Sequence, residues 1–300
     1  MTDFPRVAVI ILNFNGTCDT LAAVNSVLRD PYPEKLILVV DNASDAKELE
    51  YLEKSLPESV TLIKNTENLG FAAGNNTGMK RALSENAEFM LVLNNDTECE
   101  PGFLQLLVDS ARKDTSIGIV SPLICFFDQK ERAAYAGGTI RPIAGTGIAK
   151  LAQADSMQGE HETTFCEGSC ILLSKRLVEE TGGFDEKYFL YLEDTDLSVT
   201  AARKGYRLIL NADSRIYHKV GATSDRVHSD FSLYYVTRNR LYFTKKLFPG
   251  YFWITASYIL VTMALKSVLW ILTGRFGKTR AVAAAIHDFF SGITGKSNRF

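Results

Sequence analysis

The sequence predicts an α/β fold, with a mostly parallel central sheet flanked by helices and a C-terminal helical extension. Unbroken apolar runs such as LILVV and FMLVL are typical of strands that are buried on both faces. Segments with helical features alternate with these runs in the first half of the chain, which favours a parallel sheet with helices on both faces. Near Tyr251 the composition changes to an almost wholly apolar stretch, which predicts a separate terminal helix.

The first half of the chain contains four predicted strand–helix pairs. Prolines mark the helix limits: Pro31 and Pro57 follow the first two helices, and Pro101 occupies a favoured first helical position. The strands are expected at 6–12, 35–40, 59–64 and 88–93, and the helices at 18–29, 46–56, about 70–86 and from 101 onward.

The second half is less regular. Residues 137–161 show little periodicity and are predicted as a long loop, which in a domain of this size is often functional. The elements expected after it are a strand at 163–173, helices at 174–181 and 194–204, and a short last strand at 207–210.

The terminal stretch 251–273 predicts a helix with one narrow polar stripe. Thr255, Thr262, Lys266 and Thr273 fall on that stripe at the helical period. The helix is about long enough to span a bilayer, but Lys266 would then lie inside it. A helix in the membrane surface, or one packed on a partner, fits the stripe better, and a helix buried in the domain's own core is the alternative. The predicted division is a domain at 1–248 and an amphipathic, membrane-associating extension at 249–300.

The composition excludes some classes of protein. The formal net charge of -2 gives no electrostatic reason to expect a nucleic-acid partner. The five cysteines are odd in number and scattered, so no disulfide framework is predicted and a reduced, cytoplasmic setting fits best. The N-terminus passes directly into a strand and does not resemble a signal peptide.

Acidic residues follow three of the apolar runs. Asp41 comes after LILVV, Asp96 follows FMLVL, and Asp194 follows YFLYL. Because ligands bind beyond the carboxyl ends of parallel strands in open α/β sheets, we expect the first two groups to meet at one edge. Clustered carboxylates repel one another, so this arrangement predicts a bound cation.

Seven motifs occur in a fixed order along residues 5–245. They are VIILNFNG, VVDNASD, ENLGFAAGNNTG, LVLNNDTE, EGSCILLSK, GGFDEKYFLYLEDTDL and YHKVGATS. The set resembles the family 2 glycosyltransferases, most closely the bacterial rhamnosyltransferase-like members. The resemblance implies a GT-A nucleotide-sugar-binding fold and a metal-dependent, inverting enzyme. Such an enzyme would move a sugar, with rhamnose as one candidate, from a dTDP- or UDP-linked donor to an envelope polysaccharide or lipid-linked glycan acceptor.

The resemblance assigns the catalytic base to Asp194, with Glu193 supporting it. A carboxylate on the face opposite the leaving group can remove the proton of the attacking acceptor hydroxyl. The alternative is an ordinary acidic helix start. The GGFDE segment, with Phe184 and Asp185, is expected on the acceptor side.

The resemblance also implies a metal site for Mg²⁺ or Mn²⁺. Its ligands would be Asp96, the last residue of NND, and His218; His161, His228 and His287 lie in no such motif. Asn94 replaces the first acid of the usual Asp-x-Asp pattern, so metal binding without nucleotide should be weak. The alternatives are a helix cap for Asp96 and a structural role for His218.

The remaining predicted contacts are to the nucleotide sugar. The carboxylate of Asp41 can accept the imide N–H of uracil or thymine, and the Gly-rich segment lets the backbone approach a phosphate at a helix N-terminus. Each segment also has a structural alternative. The Asp41 segment could form only a turn, the glycines could serve helix-to-sheet packing, and the segment with Arg238 could be a solvated helix face. The predicted contact residues are Asn13, Asn15, Asp41, Asn42, Asn68, Gly70, Asn75, Asn95, Asp96, Glu167 and Arg238.

Two other functions stay open at this stage. A nucleotidyltransferase also joins an α/β sheet to a metal carboxylate, but NFNG at the end of the first strand lacks the basic Gly-rich loop of that class. A glycan- or nucleotide-sugar-binding module without catalysis is the other, and an intact Asp194 argues against it. The expected location is the inner face of the cell membrane, with Lys245, Lys246, Arg275 and Lys278 available to anionic lipid. A homo-oligomer is left open.

Overall fold

Four parallel strands form one side of the sheet in the computed structural model, which describes residues 4–219 and 229–299. They are β1 (Val7–Asn13), β2 (Lys35–Asp41), β3 (Val60–Lys64) and β4 (Phe89–Asn94), in the order β3-β2-β1-β4. The register pairs Asn13 with Asp41 and Leu12 with Asn94. The polar residues that follow these strands therefore meet at one edge, as the sequence predicts.

Helices cover both faces of this sheet. In chain order they are α1 (Thr17–Leu28), α2 (Ala46–Ser55), α3 (Gly70–Ser84) and α4 (Phe103–Arg112). Alternate residues of β1 enter two separate core clusters, with Val9 on one face and Ile10 on the other. A Cβ on Gly78 would lie 2.4 Å from Ile10, and one on Gly74 would lie 2.6 Å from Leu12. These two glycines let α3 pack closely on the sheet, which is the packing alternative given above.

The strands that follow β4 make the sheet mixed. They are β5 (Thr97–Cys99), β6 (Ile117–Phe126), β7 (Gln129–Tyr135), β12 (Cys170–Ser174) and β13 (Arg207–His218). β12 is antiparallel to both β4 and β6, and β7 is antiparallel to β6, whereas β13 is parallel to β6. Two strand predictions are corrected: 163–173 shortens to β12, and 207–210 extends to the 12 residues of β13. The extension matters because β13 pairs with both β6 and β5 and thereby carries His218 to the site.

The prediction of a long loop at 137–161 is wrong. The segment contains a hairpin of β8 (Gly138–Arg141) and β9 (Thr146–Ala149), followed by β10 (Ala152–Gln153) and β11 (Glu160–Glu162). β10 pairs with β7 and β11 pairs with β13. Strands of two to four residues with distant partners leave little local periodicity in a sequence.

The remaining helices close the domain and form the C-terminal extension. They are α5 (Lys175–Thr181), α6 (Glu193–Arg203), α7 (Asp230–Leu247), α8 (Phe252–Leu272) and α9 (Phe276–Phe290). α7, α8 and α9 share a small core. Tyr234 of α7 donates a hydrogen bond to Asp288 of α9, and the Gly295 amide donates to the Lys187 carbonyl. The predicted boundary at residue 248 stays a prediction.

The polar stripe of α8 does not form a water-facing surface along its whole length. Thr255 is buried and donates to the Pro142 carbonyl at 2.9 Å, while the Thr262 hydroxyl bonds back to the Tyr258 carbonyl of its own helix. The opposite side is apolar and exposed, as at Leu265 and Val268. By length and composition, Pro249–Leu272 is apolar enough to cross a membrane, and only 22% of its most apolar window is buried.

Candidate active site

Asp41 and Asn13 lie side by side at the sheet edge because β1 and β2 are in register there. Asp41 is 1% exposed, and its carboxylate accepts hydrogen bonds from Asn13 Nδ2 (2.8 Å), Ser44 Oγ (2.6 Å) and the Ser44 amide (3.0 Å). These bonds order the turn after β2. Turn formation is the alternative role that the sequence analysis gives for the Asp41 segment. Contact between Asp41 and a nucleobase stays a prediction, and it would use the remaining acceptor capacity of Oδ2.

The loop after β1 is fixed by asparagine side chains. Asn15 has a left-handed backbone (φ 51°), and its Oδ1 accepts the Asp45 amide at 2.7 Å. Asn95 Nδ2 donates to Thr20 Oγ1 at 3.1 Å. Between these polar contacts the ring of Phe14 is 48% exposed. Sequence reasoning missed Phe14, and an aromatic residue between two strand-end asparagines was the available signal.

The start of α3 is bonded to protein groups. Asn42 Nδ2 donates to Asn68 Oδ1 and to the Gly70 carbonyl, both at 3.0 Å. The Gly70 amide donates to Asn68 Oδ1 at 2.9 Å, and the Phe71 amide donates to the Phe189 carbonyl at 2.7 Å. The Gly70 and Phe71 amides are therefore already bonded to protein groups, and the expectation that this helix N-terminus approaches a phosphate stays a prediction. Donor contacts by Asn42, Asn68 and Gly70 stay predictions.

Asn75 differs from its neighbours on α3. It is fully buried, and its Nδ2 donates to the Phe71 carbonyl at 2.9 Å. Its Oδ1 has no hydrogen-bond partner among residues 4–219 and 229–299. An unbonded buried oxygen costs free energy, so Asn75 retains one acceptor for a ligand donor.

Asp96 and His218 form the predicted metal pair. Asp96 Oδ1 lies 3.0 Å from His218 Nε2 because β5, which follows Asp96, pairs with the end of β13. Burial opposes both charges, but the hydrogen bond and mutual attraction dominate: they lower the pKa of Asp96 and raise the pKa of His218. His218 Nδ1 is buried and unbonded in the described part of the chain.

The pair fits a divalent cation that is shared with a substrate. A separation of 3.0 Å suits two neighbouring ligands of an octahedral ion with bonds of about 2.1 Å. Within the described ranges, no three His, Cys, Asp or Glu side chains form a metal cage. Mg²⁺ usually completes such a site with water and substrate phosphates, so the donor's diphosphate would supply the missing ligands.

Glu167 and Asp194 are the other two acids of the site. Asp194 Oδ2 accepts the Gly168 amide at 2.9 Å, and its Oδ1 accepts the Thr195 amide at 2.6 Å. Burial raises the pKa of Asp194, although these hydrogen bonds oppose the shift. Burial also raises the pKa of Glu167, against the attraction of His218. The charges of His218, Asp194 and Asp96 all act on Glu167, so Glu167 lies between the proposed base and the predicted metal pair in electrostatic terms.

The turn before α6 is strained. Tyr191 and Leu192 both have a left-handed backbone, with φ of 71° and 73°. Such conformations are costly for residues with side chains and tend to occur at functional sites. Asn239 Nδ2 holds the turn by donating to the Leu190 and Tyr191 carbonyls, both at 2.9 Å. Asn239 is a positioning residue that sequence reasoning did not identify.

Glu193 does not stand beside Asp194 as an accessible second acid. Its side chain is buried, and Oε2 has no partner in the described residues. Burial, with the charge of Asp194 as a second cause, raises the pKa of Glu193 well above its ordinary value. A direct role for Glu193 in proton removal is not supported, because its carboxyl is enclosed.

Two predictions near α7 are corrected, and a third stays open. Arg238 lies between the rings of Tyr234 and Tyr235 and lines a cavity with Lys187 and Phe289, so its predicted contact with the donor diphosphate stays a prediction. Phe184 is buried in the core. Lys246 bonds to Asp185 (2.7 Å) and Asp196 (2.8 Å) and is therefore not a free lipid-facing cation. Residues 220–224 of the last motif, and His228, lie outside the described residues.

The fold and the strand-edge acids define a GT-A nucleotide-sugar enzyme, and comparison with known proteins gives the family. The family model "Glycosyl transferase family 2" matches residues 8–182, more than half of the chain. The protein belongs to glycosyl transferase family 2, is rhamnosyltransferase-like, and is a glycosyltransferase.

Two relatives illustrate the resemblance. The N-acetylglucosaminyl-diphospho-decaprenol L-rhamnosyltransferase of Mycobacterium tuberculosis is 23% identical over 63% of this chain and 68% of its own length. The dTDP-rhamnosyl transferase RfbF of Shigella flexneri is 23% identical over 80% of each chain.

Solved structures confirm the GT-A fold. The mannosyltransferase PcManGT from Pyrobaculum calidifontis, in complex with GDP-Man and Mn²⁺, has a TM-score of 0.57 at 16% identity and covers 96% of this chain and 88% of its own. GalNAc-T7 with UDP, GalNAc and Mn²⁺ also has a TM-score of 0.57, at 18% identity. It covers 72% of this chain and 43% of its own.

Proposed function

We propose that this glycosyltransferase transfers a sugar with inversion from a nucleotide diphosphate sugar to a hydroxyl of a lipid-linked glycan in envelope polysaccharide synthesis. The observation that carries the proposal is the placement of Asp194. Its half-buried carboxylate is held by the Gly168 and Thr195 amides, and its charge, like that of His218, acts on Glu167. A base held there can act on the acceptor while the diphosphate occupies the metal pair.

In the proposed mechanism, Asp194 accepts the proton of the acceptor hydroxyl as the hydroxyl oxygen attacks the anomeric carbon. The bond from that carbon to the diphosphate breaks on the opposite face, which inverts the configuration. The strained turn at Tyr191 and Leu192 and the bonds from Asn239 keep the base oriented. Asp96 and His218 would hold a Mg²⁺ or Mn²⁺ ion, and such an ion would supply positive charge to offset that of the departing diphosphate.

The donor is proposed to be dTDP- or UDP-linked, with rhamnose as the first candidate sugar. The support is that the Shigella flexneri relative is a dTDP-rhamnosyl transferase, that the Mycobacterium tuberculosis relative is an L-rhamnosyltransferase, and that GalNAc-T7 was solved with UDP. In this chain the exposed ring of Phe14, beside the Asn13–Asp41 pair, offers a stacking surface for a pyrimidine. Both bases present the same imide N–H to Asp41, so the side-chain chemistry does not separate them.

We propose that the protein attaches to the inner face of the cell membrane through α8 and α9. The outer side of α8 exposes large apolar groups, including Trp253, Val261 and Leu272, and Phe290 at the end of α9 is also exposed. An exposed apolar surface of this length is unfavourable in water and favourable at a bilayer. Attachment there would bring the active site near a lipid-linked acceptor.

Inverting transfer, binding without catalysis and nucleotidyl transfer would give different products. Full-length protein is incubated with UDP- and dTDP-linked sugars, Mn²⁺ and N-acetylglucosaminyl-diphospho-decaprenol, and the product is analysed by NMR. The proposal expects a new glycosidic bond with inverted anomeric configuration, and a retained configuration would contradict it. Donor binding without any transfer would favour a binding module. In a parallel incubation with UTP or dTTP and a sugar 1-phosphate, release of pyrophosphate with formation of a nucleotide sugar would favour a nucleotidyltransferase.

A further inference from the structure

A basic cavity of about 440 Å³ lies between α7 and the segment that follows α9. Its charged lining residues are Lys187, Arg238, Lys245 and Lys246, and no acidic side chain lines it. Phe289 and Ile293 supply an apolar wall. None of the strand-edge residues that form the metal pair or the proposed nucleotide pocket takes part, so this cavity is separate from the donor site.

Arg238 is the informative residue of the cavity. Its side chain is almost completely buried, with Nε donating to Asn239 Oδ1 at 3.1 Å and Nη1 to Tyr234 Oη at 3.4 Å. In the ranges 4–219 and 229–299 it forms no salt bridge, and its Nη2 has no hydrogen-bond partner. A buried guanidinium without a counter-charge is strongly unfavourable, so this geometry favours an anionic ligand.

The other cations strengthen the same conclusion. Lys246 is neutralised by Asp185 and Asp196. Lys187 and Lys245 are exposed and have only ring contacts, with Tyr242 at 5.9 Å and Phe289 at 5.5 Å, and neither forms a salt bridge with a described carboxylate. Two unneutralised ammonium groups and a guanidinium suit an anion with several oxygens, such as a phosphate or diphosphate.

The position of the cavity indicates the source of that anion. Asn239, which accepts from Arg238, also holds the turn that precedes Asp194. The cavity is therefore next to the acceptor side of the site. On its other side Ile293 and Phe290 are exposed and continue the apolar surface of α8 and α9. A ligand that joins a phosphate to a hydrocarbon chain matches both sides.

We propose that this cavity binds the phosphate or diphosphate group of the lipid-linked acceptor. The proposal rests on the proposed function and adds a subsite to it. The Arg238 guanidinium would donate to phosphate oxygens through Nη2, and Lys187 and Lys245 would close over the group from the solvent side. The hydrocarbon would leave past Ile293 toward the membrane, and the sugar would extend toward Asp194.

The test measures binding rather than transfer. Full-length protein in detergent is titrated calorimetrically with farnesyl diphosphate, farnesol, inorganic pyrophosphate and uridine diphosphate, all in the presence of EDTA so that no divalent ion contributes. Lys187→Gln/Lys245→Gln removes the two exposed cations without altering the buried Arg238. Lys47→Gln/Lys204→Gln, on exposed positions elsewhere, has the same net charge and is the matched control.

The proposal expects farnesyl diphosphate to bind at least tenfold more weakly to the cavity variant than to the control, with farnesol binding weakly to all forms. Equal affinity of both variants for farnesyl diphosphate would overturn the proposal. Loss of uridine diphosphate binding instead would assign the cavity to the donor, and tighter binding of pyrophosphate than of farnesyl diphosphate would assign it to free phosphate. Either result would also overturn it. If wild-type protein binds farnesyl diphosphate but transfers no sugar, only the proposed function fails.

Discussion

Gly70→Ala tests how the Gly-rich segment and the catalytic turn depend on each other. Gly70 begins α3 with a left-handed backbone (φ 79°), and the neighbouring Phe71 amide bonds to the Phe189 carbonyl. A Cβ at residue 70 would lie 2.2 Å from that carbonyl oxygen. Either α3 or the segment around Phe189 must move, and that segment leads directly into the turn before Asp194.

The magnitude follows from two separable costs. A left-handed alanine costs about 1–2 kcal/mol, and forcing a methyl group into a packed site costs about 1–3 kcal/mol more. The free energy of unfolding should therefore fall by roughly 2–5 kcal/mol, which lowers the Tm by roughly 4–20 °C at 2–4 °C per kcal/mol. Gly102→Ala is the control, because Gly102 has a φ of 88° and nothing within 4 Å of its Cβ position. It should show only the backbone cost, roughly 2–8 °C.

Differential scanning calorimetry of both full-length variants measures the difference. The reasoning predicts a clearly larger loss of Tm for Gly70→Ala, together with a transfer rate that falls more than donor affinity does. If the two variants have the same Tm, the contact with Phe189 carries no energy and the proposed coupling between α3 and the catalytic turn is wrong.

Three further predictions concern the metal, the turn and the membrane. Asp96→Ala should abolish the effect of Mn²⁺ on donor affinity, measured by titration with and without chelator; an undiminished Mn²⁺ effect would contradict the metal pair. Asn239→Ala loses two hydrogen bonds to the strained turn, so kcat should fall about tenfold with little change in the donor Kd, and an unchanged kcat would remove its positioning role. Leu265→Glu should reduce sedimentation with anionic liposomes, whereas Leu151→Glu, at a similarly exposed position outside α8, should not. Equal sedimentation of the two variants would count against membrane binding through α8.

The fold was predictable where hydrophobic periodicity is strong. The runs LILVV and FMLVL identify two central strands, and the carboxyl ends of β1, β2 and β4 meet at one edge, as parallel topology requires. The short strands that begin within 137–161 were not predictable. β8 and β9 pair with each other over only four residues each, and β10 and β11 pair with the distant strands β7 and β13. A propensity pattern over two to four residues is too weak to outweigh a loop prediction.

The candidate site was also predictable only in part. Motif order identified Asp96, His218 and Asp194, and the structure brings the first two within 3.0 Å. The motif order did not indicate that the Glu193 side chain is enclosed. Nor did it indicate that Arg238 lines a cavity separate from the strand-edge residues. Both depend on how α6 and α7 pack, which is tertiary information. The sequence does not indicate whether an acidic pair at a helix start faces the core or the active site. The same is true of a cluster of basic and aromatic residues.

The central claim is that Asp194 is the base of an inverting transfer. The most direct measurement is the single-turnover transfer rate of Asp194→Asn at saturating donor and acceptor, beside Asp128→Asn as an exposed control. The account predicts that the rate falls by about 10² to 10⁴-fold for Asp194→Asn while the donor Kd stays the same, because the base acts in the transition state. The wild-type rate should also decline as the pH falls through the pKa of Asp194, which burial raises above its ordinary value. A rate for Asp194→Asn close to that of Asp128→Asn would contradict the account.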